Sequence, residues 1–387
     1  MRKLIALLMC LVLLPAGALA EEEEVSIMDM LEDADESLLP DLYIPAPDPM
    51  AEDAVEAGSR VESVYEEDGS ILITITATGD FTVGGDNRKS SSIWDKELKK
   101  QGGDPNFALK NMRDILMADD LTIVNFEGTL TNSTYIPQEK RENQFLFNAP
   151  PEYVSMLTDN GIEAVALENN HVMDHGQDAY DETKRYLTDA GVVWSGDGEI
   201  GVIEVKGVKI AMLSYLCIDR YAQLWDKVPQ DIAAAKAVYP IVIVSFHWGV
   251  EKDYAPTANQ VKMGRLAVDS GADLVLGHHS HRIQPIEQYK GVYICYSLGN
   301  FCFAGNSKPD DMSSFVFQTR FRLRDGEITN EGFRIIPIRI SSRTERNDFI
   351  PTPYTKESSA DAVVTTLKSN GKKLEYAVSD YPREWPE

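Results

Sequence analysis

Three of the six histidines in this chain fall within one pentapeptide, Gly277-His278-His279-Ser280-His281. The other three, His171, His175 and His247, lie upstream in two short polar stretches, and the chain holds no histidine before 171 or after 281. Imidazole is the commonest protein metal ligand. The run Ala272-Asp273-Leu274-Val275-Leu276 just before the cluster reads as a short buried strand of a parallel sheet. His279 and His281 would then stand where that strand runs out. Residues two apart in extended chain point the same way and the residue between them the other way. His279 and His281 are therefore expected to face one pocket and His278 to face away from it. Two imidazoles at the C-terminal end of a strand suit a metal site. A polar loop with surface histidines is the competing reading of the pentapeptide taken alone.

Other apolar runs end in the same manner. Ile71 to Ala77 is followed by Gly79-Asp80, Leu121 to Asn125 by Phe126-Glu127, Ile162 to Leu167 by Asn169-Asn170-His171, and Tyr239 to Phe246 by His247. Carboxylate, amide oxygen and imidazole are donors for borderline divalent cations. Each residue also has a plainer reading. Asp80 could be a turn former, Asn170 a helix cap, and His247 a satisfied core histidine. His175 and His278 read as structural or supporting residues.

The elements that must position these residues alternate. Helical spacing covers Asn106 to Met117, Pro151 to Asn160, Gln177 to Ala190 (ending at Gly191) and Thr257 to Ser270, capped by Thr257 and stopped by Gly271. Val202 to Val205 and Val208 to Tyr215 read as a hairpin across Lys206-Gly207. Ser314 to Leu323 and Phe333 to Ile340 alternate like antiparallel strands. Strand, polar turn and helix in repetition imply an α/β sheet with its functional residues on the loops after the strands, and the additional antiparallel strands imply a second sheet packed on the first.

Charge is unevenly spread. Residues 21–70 hold eighteen Asp or Glu against Arg60, a balance of −17 within a chain total of −25, which leaves −8 for the remainder. Such a balance argues against nucleic acid as a partner. Arg2 and Lys3, the apolar stretch Leu4 to Leu14 and Ala18-Leu19-Ala20 have the order of a cleavable secretory signal, with an uncleaved anchor as the alternative. The expected division is a signal peptide over 1–20, an acidic flexible tether over 21–69, a folded domain over 70–345, and a C-terminal tail over 346–387 with a weak helix at Ala360 to Ser369. Cys217, Cys295 and Cys302 remain after cleavage, an odd number without metal-binding spacing, and no disulfide framework is expected.

Gly79-Asp80, Asn125-Phe126-Glu127, Asn169-Asn170-His171, Ser245-Phe246-His247-Trp248-Gly249, the Gly277 to His281 run and Ser297-Leu298-Gly299-Asn300-Phe301, taken together and in this order, resemble the CapA-type capsule (poly-γ-glutamate) synthesis proteins, a group similar to the calcineurin-like metallophosphoesterases. The resemblance covers roughly residues 71 to 305. It implies a four-layer α/β/β/α metallophosphoesterase-like sandwich and one or two divalent ions (Mn, Fe or Zn). Asp80 and His281 would hold one ion and Asn170, His247 and His279 a second, with Glu127 bridging and His171 facing a leaving group. Two departures from the phosphoesterase pattern stand out: Thr82 occupies the place of a usual histidine, and Glu127 that of a usual aspartate. Implied partners are a surface polymer, poly-γ-glutamate or another capsule chain, or a phosphoester substrate, together with membrane-bound synthesis machinery, in an extracytoplasmic setting. Metal-dependent hydrolase and non-catalytic polymer-binding accessory protein both stay open.

Overall fold

The computed structural model describes residues 64–386, apart from 87, 89–91, 143 and 144. The signal segment and nearly all of the acidic tether lie outside the described residues. In chain order the strands are β1 (Ile71–Thr82), β2 (Leu121–Phe126), β3 (Thr129–Leu130), β4 (Asn148–Ala149), β5 (Ala164–Ala166), β6 (Val193–Ser195), β7 (Gly201–Val205), β8 (Val208–Leu216), β9 (Ile241–His247), β10 (Leu274–His278), β11 (Ile286–Tyr289), β12 (Val292–Cys295), β13 (Asn300–Phe303), β14 (Ser313–Arg324), β15 (Glu327–Arg339) and β16 (Thr352–Pro353).

Two sheets result. One has the order β16-β15-β14-β1-β2-β5-β6, with β13 also paired to β1, and the other the order β11-β12-β10-β9-β8-β7. β1, β2, β5 and β6 are mutually parallel, as are β8, β9, β10 and β12. Antiparallel strands flank both parallel cores, as the alternating runs near the C-terminus predict.

Side-chain parity explains the layers. Ile71, Ile73 and Ile75 of β1, Leu121 and Ile123 of β2, Ile241 and Ile243 of β9, and Leu274 and Leu276 of β10 share one apolar cluster between the sheets. The opposite faces meet helices. Val124 and Phe126 of β2 pack in a cluster with Tyr180 and Leu187 of the helix Gly176–Asp189, while Val242, Val244 and Phe246 of β9 pack with Met263 and Ala267 of the helix Ala258–Asp269. Strands apolar on both faces are what a sheet covered on both sides requires. The layer order is α/β/β/α, the architecture that the family resemblance implies.

Local chemistry sets the helix ends. Thr257 caps Ala258–Asp269 through a capping box with Gln260, and Gly271 follows at φ +111°. The expected helix over 106–117 is instead a 3₁₀ turn, Pro105–Leu109, and one α-turn, Arg113–Leu116; 151–160 divides in the same way. Both are too short to propagate on their own and are held by packing. The stretch expected as a tail supplies β16 and the helix Glu357–Gly371, whose Val363 and Leu367 enter the inter-sheet cluster. Cys217, Cys295 and Cys302 are free and buried. Among the described residues no helix is long and apolar enough to cross a membrane.

Candidate metal centre

The site forms where parallel strands of both sheets end. In β1 the pairing register to β2 shifts between Ala77 and Asp80. This bulge reverses side-chain parity: Ile75 and Ala77 lie in the inter-sheet cluster, yet Phe81, also an odd position, lies in the helix-side cluster with Phe126 and Phe301. Asp80 therefore points between the sheets. It pairs in register with Asn125 on one side and Asn300 on the other. Gly79 is required at this point, because a Cβ there would lie 2.0 Å from the Gly299 carbonyl oxygen, and that same oxygen accepts the Asp80 N–H at 2.9 Å.

Asp80, Glu127 and His281 come together, each offering a donor atom within 4.8 Å of the others. His281 Nδ1 lies 2.9 Å from Asp80 Oδ2 and also 2.9 Å from Asn300 Oδ1. Glu127 Oε1 is 3.4 Å from His247 Nε2, and His247 Nε2 is 2.7 Å from Asn170 Oδ1. The His279 ring centroid is 4.8 Å from that of His247 and 6.2 Å from that of His281. The six residues named as candidate ligands thus form one continuous cluster.

His171 follows Asn170 and presents its ring to Phe147, with centroids 4.6 Å apart. Its Nδ1 is 2.8 Å from Asp174 Oδ2, a buried carboxylate that also accepts the Phe147 N–H and a Lys140 ammonium contact at 3.0 Å. His175 sits apart, with Nδ1 2.8 Å from the Tyr135 carbonyl oxygen, in keeping with a structural role.

The three-histidine run departs from the expected geometry. β10 extends through His278, so His278 shares the parity of Leu274 and Leu276 and faces the space between the sheets, with Nδ1 3.5 Å from Asp80 Oδ1. His279 and His281 lie beyond the strand at φ +86° and +52°. They approach the cluster through left-handed backbone rather than through strand alternation. The expectation that His278 faces away is overturned for this reason: regular alternation stops at His278, two residues beyond the apolar run, and does not extend to His279 and His281.

Asn125 is the central residue that the sequence reading left without a role. Its Nδ2 lies 2.8 Å from Asp80 Oδ1, 3.2 Å from Glu127 Oε1 and 3.3 Å from His247 Nδ1, and its Oδ1 accepts from Asn169 at 3.2 Å. Its place two residues before Glu127, within a strand that is otherwise apolar apart from Thr122, is the sequence signal. Asp174 was passed over in the same way, three residues after His171.

Burial and mutual charge set the electrostatics. Burial, then the Asp80 charge, push the Glu127 carboxyl up to about 8. Burial would raise Asp80 as well, but His278 and His281 outweigh it and hold Asp80 well below the usual carboxylate range. Burial opposes charge on His281, yet Glu127 and Asp80 raise it to about 9. Burial and a neighbouring imidazole depress His247 strongly and His279 to about 4.

The donor set fits a divalent cation. Asp80 Oδ2 and His279 Nδ1 are buried and make no aligned hydrogen bond within the protein. Such atoms are costly unless something satisfies them. Oxygen and imidazole donors in this mixture suit Mn, Fe or Zn rather than an all-oxygen Ca²⁺ site.

Fold and site define a two-sheet α/β protein with an oxygen–nitrogen donor centre at the shared C-terminal edge of its parallel strands. The chain belongs to the bacterial capsule synthesis protein PGA_cap family, whose model matches residues 74–305 and so includes every residue of the centre. It is 29% identical over 307 residues to the PGA biosynthesis protein CapA of Bacillus subtilis (strain 168), a match covering 74% of this chain and 77% of that one. It is 27% identical over 276 residues to the capsule biosynthesis protein CapA of Bacillus anthracis, covering 65% and 64%. Among solved structures it is similar to the calcineurin-like phosphoesterase YfkN from Bacillus subtilis, with a TM-score of 0.43 and 16% identity over 78% of this chain and 98% of that one.

Proposed function

We propose that this protein works outside the cytoplasm in the synthesis or processing of a capsule-type polymer, poly-γ-glutamate foremost, through a divalent-metal centre. The CapA relatives support the polymer, and the order of charged, apolar and small residues over 1–20 supports export. The observation that carries the metal reading is the meeting of the buried Asp80 and Glu127 with the part-buried His281.

Asp80 and His281 would hold one ion, Asn170, His247 and His279 a second, and Glu127 would be shared. A bound divalent cation supplies a Lewis acid and lowers the pKa of water. The chain's own contribution is orientation and proton handling. Asn125 holds both carboxylates from one amide. Asp174 engages His171 at Nδ1, so Nε2 is the atom left to protonate a leaving oxygen. This is hydrolase chemistry, of a phosphoester or a related bond.

Thr82 favours a second reading, a non-catalytic polymer-binding accessory protein that cooperates with membrane-bound synthesis machinery. The Thr82 hydroxyl is committed to Glu127, so β1 brings no nitrogen donor to the first ion. One set of measurements separates the two. Metal content is determined on purified protein. Phosphomonoesters, phosphodiesters and poly-γ-glutamate are then offered with Mn²⁺, Zn²⁺ or Fe²⁺, beside Glu127→Ala and His171→Ala. Turnover lost in both variants supports the hydrolase. No turnover under any metal, with chelator-sensitive polymer binding, supports the accessory role. An exported protein that begins at Glu21 supports the signal peptide.

A further inference from the structure

We infer that His278 is a positioning residue for Asp80: its Nδ1–H is the donor that, together with Asn125, fixes which way the Asp80 carboxylate faces. The inference rests on the metal-centre reading above and deepens it.

His278 is 1% exposed, and neither of its ring nitrogens makes a hydrogen bond. A buried imidazole without partners needs an explanation. The polar atom within reach is Asp80 Oδ1, at 3.5 Å from Nδ1. That oxygen already accepts Asn125 Nδ2 at 2.8 Å, while Oδ2 on the other side faces His281 Nδ1 at 2.9 Å. Asp80 Oδ1 is thus approached from both sheets, by the Asn125 amide of β2 and the His278 ring of β10, while the other oxygen lies toward His281.

The backbone makes this approach a rigid one. His278 is the last residue of β10 and pairs in register with His247 of β9, so its ring is placed by the ladder. Its neighbour Gly277 allows the Tyr296 carbonyl oxygen to approach a position only 2.1 Å from where a Cβ would sit. This close approach fixes β10 against the chain leaving β12, within the second sheet, at the residue next to His278. Partners that orient a ligating carboxylate govern metal affinity without touching the metal.

Two variants and one spectroscopic measurement test this. Chelator-treated wild type, His278→Leu and His278→Asn are titrated with Mn²⁺ and with Zn²⁺ by calorimetry, with thermal melts confirming the fold. The leucine variant fills similar volume and removes the donor; its affinity is expected to fall by roughly tenfold or more. Asparagine places an amide donor near the Nδ1 position and is expected to recover most of that loss. In the wild type, long-range ¹⁵N–¹H NMR is expected to find the His278 proton on Nδ1. Unchanged affinity in the leucine variant overturns the inference, as does an asparagine variant no better than leucine or a neutral Nε2–H tautomer. Wild type that takes up no metal removes the centre itself, whereas a metal-binding wild type with an indifferent residue 278 removes only this inference.

Discussion

The Thr82 hydroxyl donates to Glu127 Oε2 at 3.2 Å, with both side chains buried. A residue that brings no nitrogen to the cluster thus orients the carboxylate expected to be shared by two ions. Removing the hydroxyl leaves that oxygen short of a donor. Thr82→Val is expected to cost about 1 kcal/mol of stability and to weaken metal binding several-fold, whereas Thr82→Ser should preserve both. Urea melts and calorimetric titration check this.

The metal-free protein should lose stability as pH rises above about 6.5. Glu127 titrates at about 8 in the fold against 4.5 ordinarily, and His281 at about 9 against 6.5. Above pH 6.5 the folded state therefore holds protons that the unfolded chain has lost, and stability falls as pH rises through these values. His279, depressed to about 4, acts in the opposite sense: its contribution is present above 6.5 and is lost as pH falls toward 4. A cation competes with the protons on Glu127 and His281. The gap in melting temperature between Mn²⁺-loaded and chelator-treated protein should accordingly widen from pH 6.5 toward 9. A gap that narrows would contradict the assignment.

Asp174→Asn separates His171 from the metal ligands. The substitution keeps the shape but weakens the hold on His171 Nδ1, now 2.8 Å from the Asp174 carboxylate. Any hydrolytic turnover is expected to drop by about 10²-fold, as for loss of a positioned general acid, while Mn²⁺ affinity stays within a few-fold of wild type. Parallel kinetics and titration give the two readouts.

Gly79→Ala tests the bulge that turns Asp80 inward. The added Cβ would meet backbone on the Gly299 side, which cannot swing away as a side chain can. The expected cost is about 1–3 kcal/mol or more, accompanied by loss of metal binding, since the displaced strand carries Asp80. A variant that melts and binds like wild type would show that the close approach is dispensable.

The sequence reading went far on residue type and less far on direction. The strands before Asp80, Glu127, Asn170, His247 and His279 were legible because runs covered on both faces are apolar throughout. The helix capped by Thr257 was legible because Thr257 and Gln260 form a local capping box. The contribution of residues 346–386 was hidden. Val363 and Leu367 are ordinary helix residues until the inter-sheet space they fill is known. The face of His278 is misread when strand alternation is extended to His279 and His281, whose backbone is left-handed.

By itself, the sequence determined the alternation of strands and helices and the roster of donor residues, since apolar periodicity and residue chemistry are local properties of the chain; the four-layer order came from the family resemblance. Only the tertiary structure decided how those donors meet. The β1 register shift that sends Asp80 between the sheets, the amide of Asn125 shared between two carboxylates, and the left-handed turns at His279 and His281 arise from pairing between segments far apart in the chain. Register and backbone handedness are set by what each segment packs against, and no single stretch of residues encodes its neighbour.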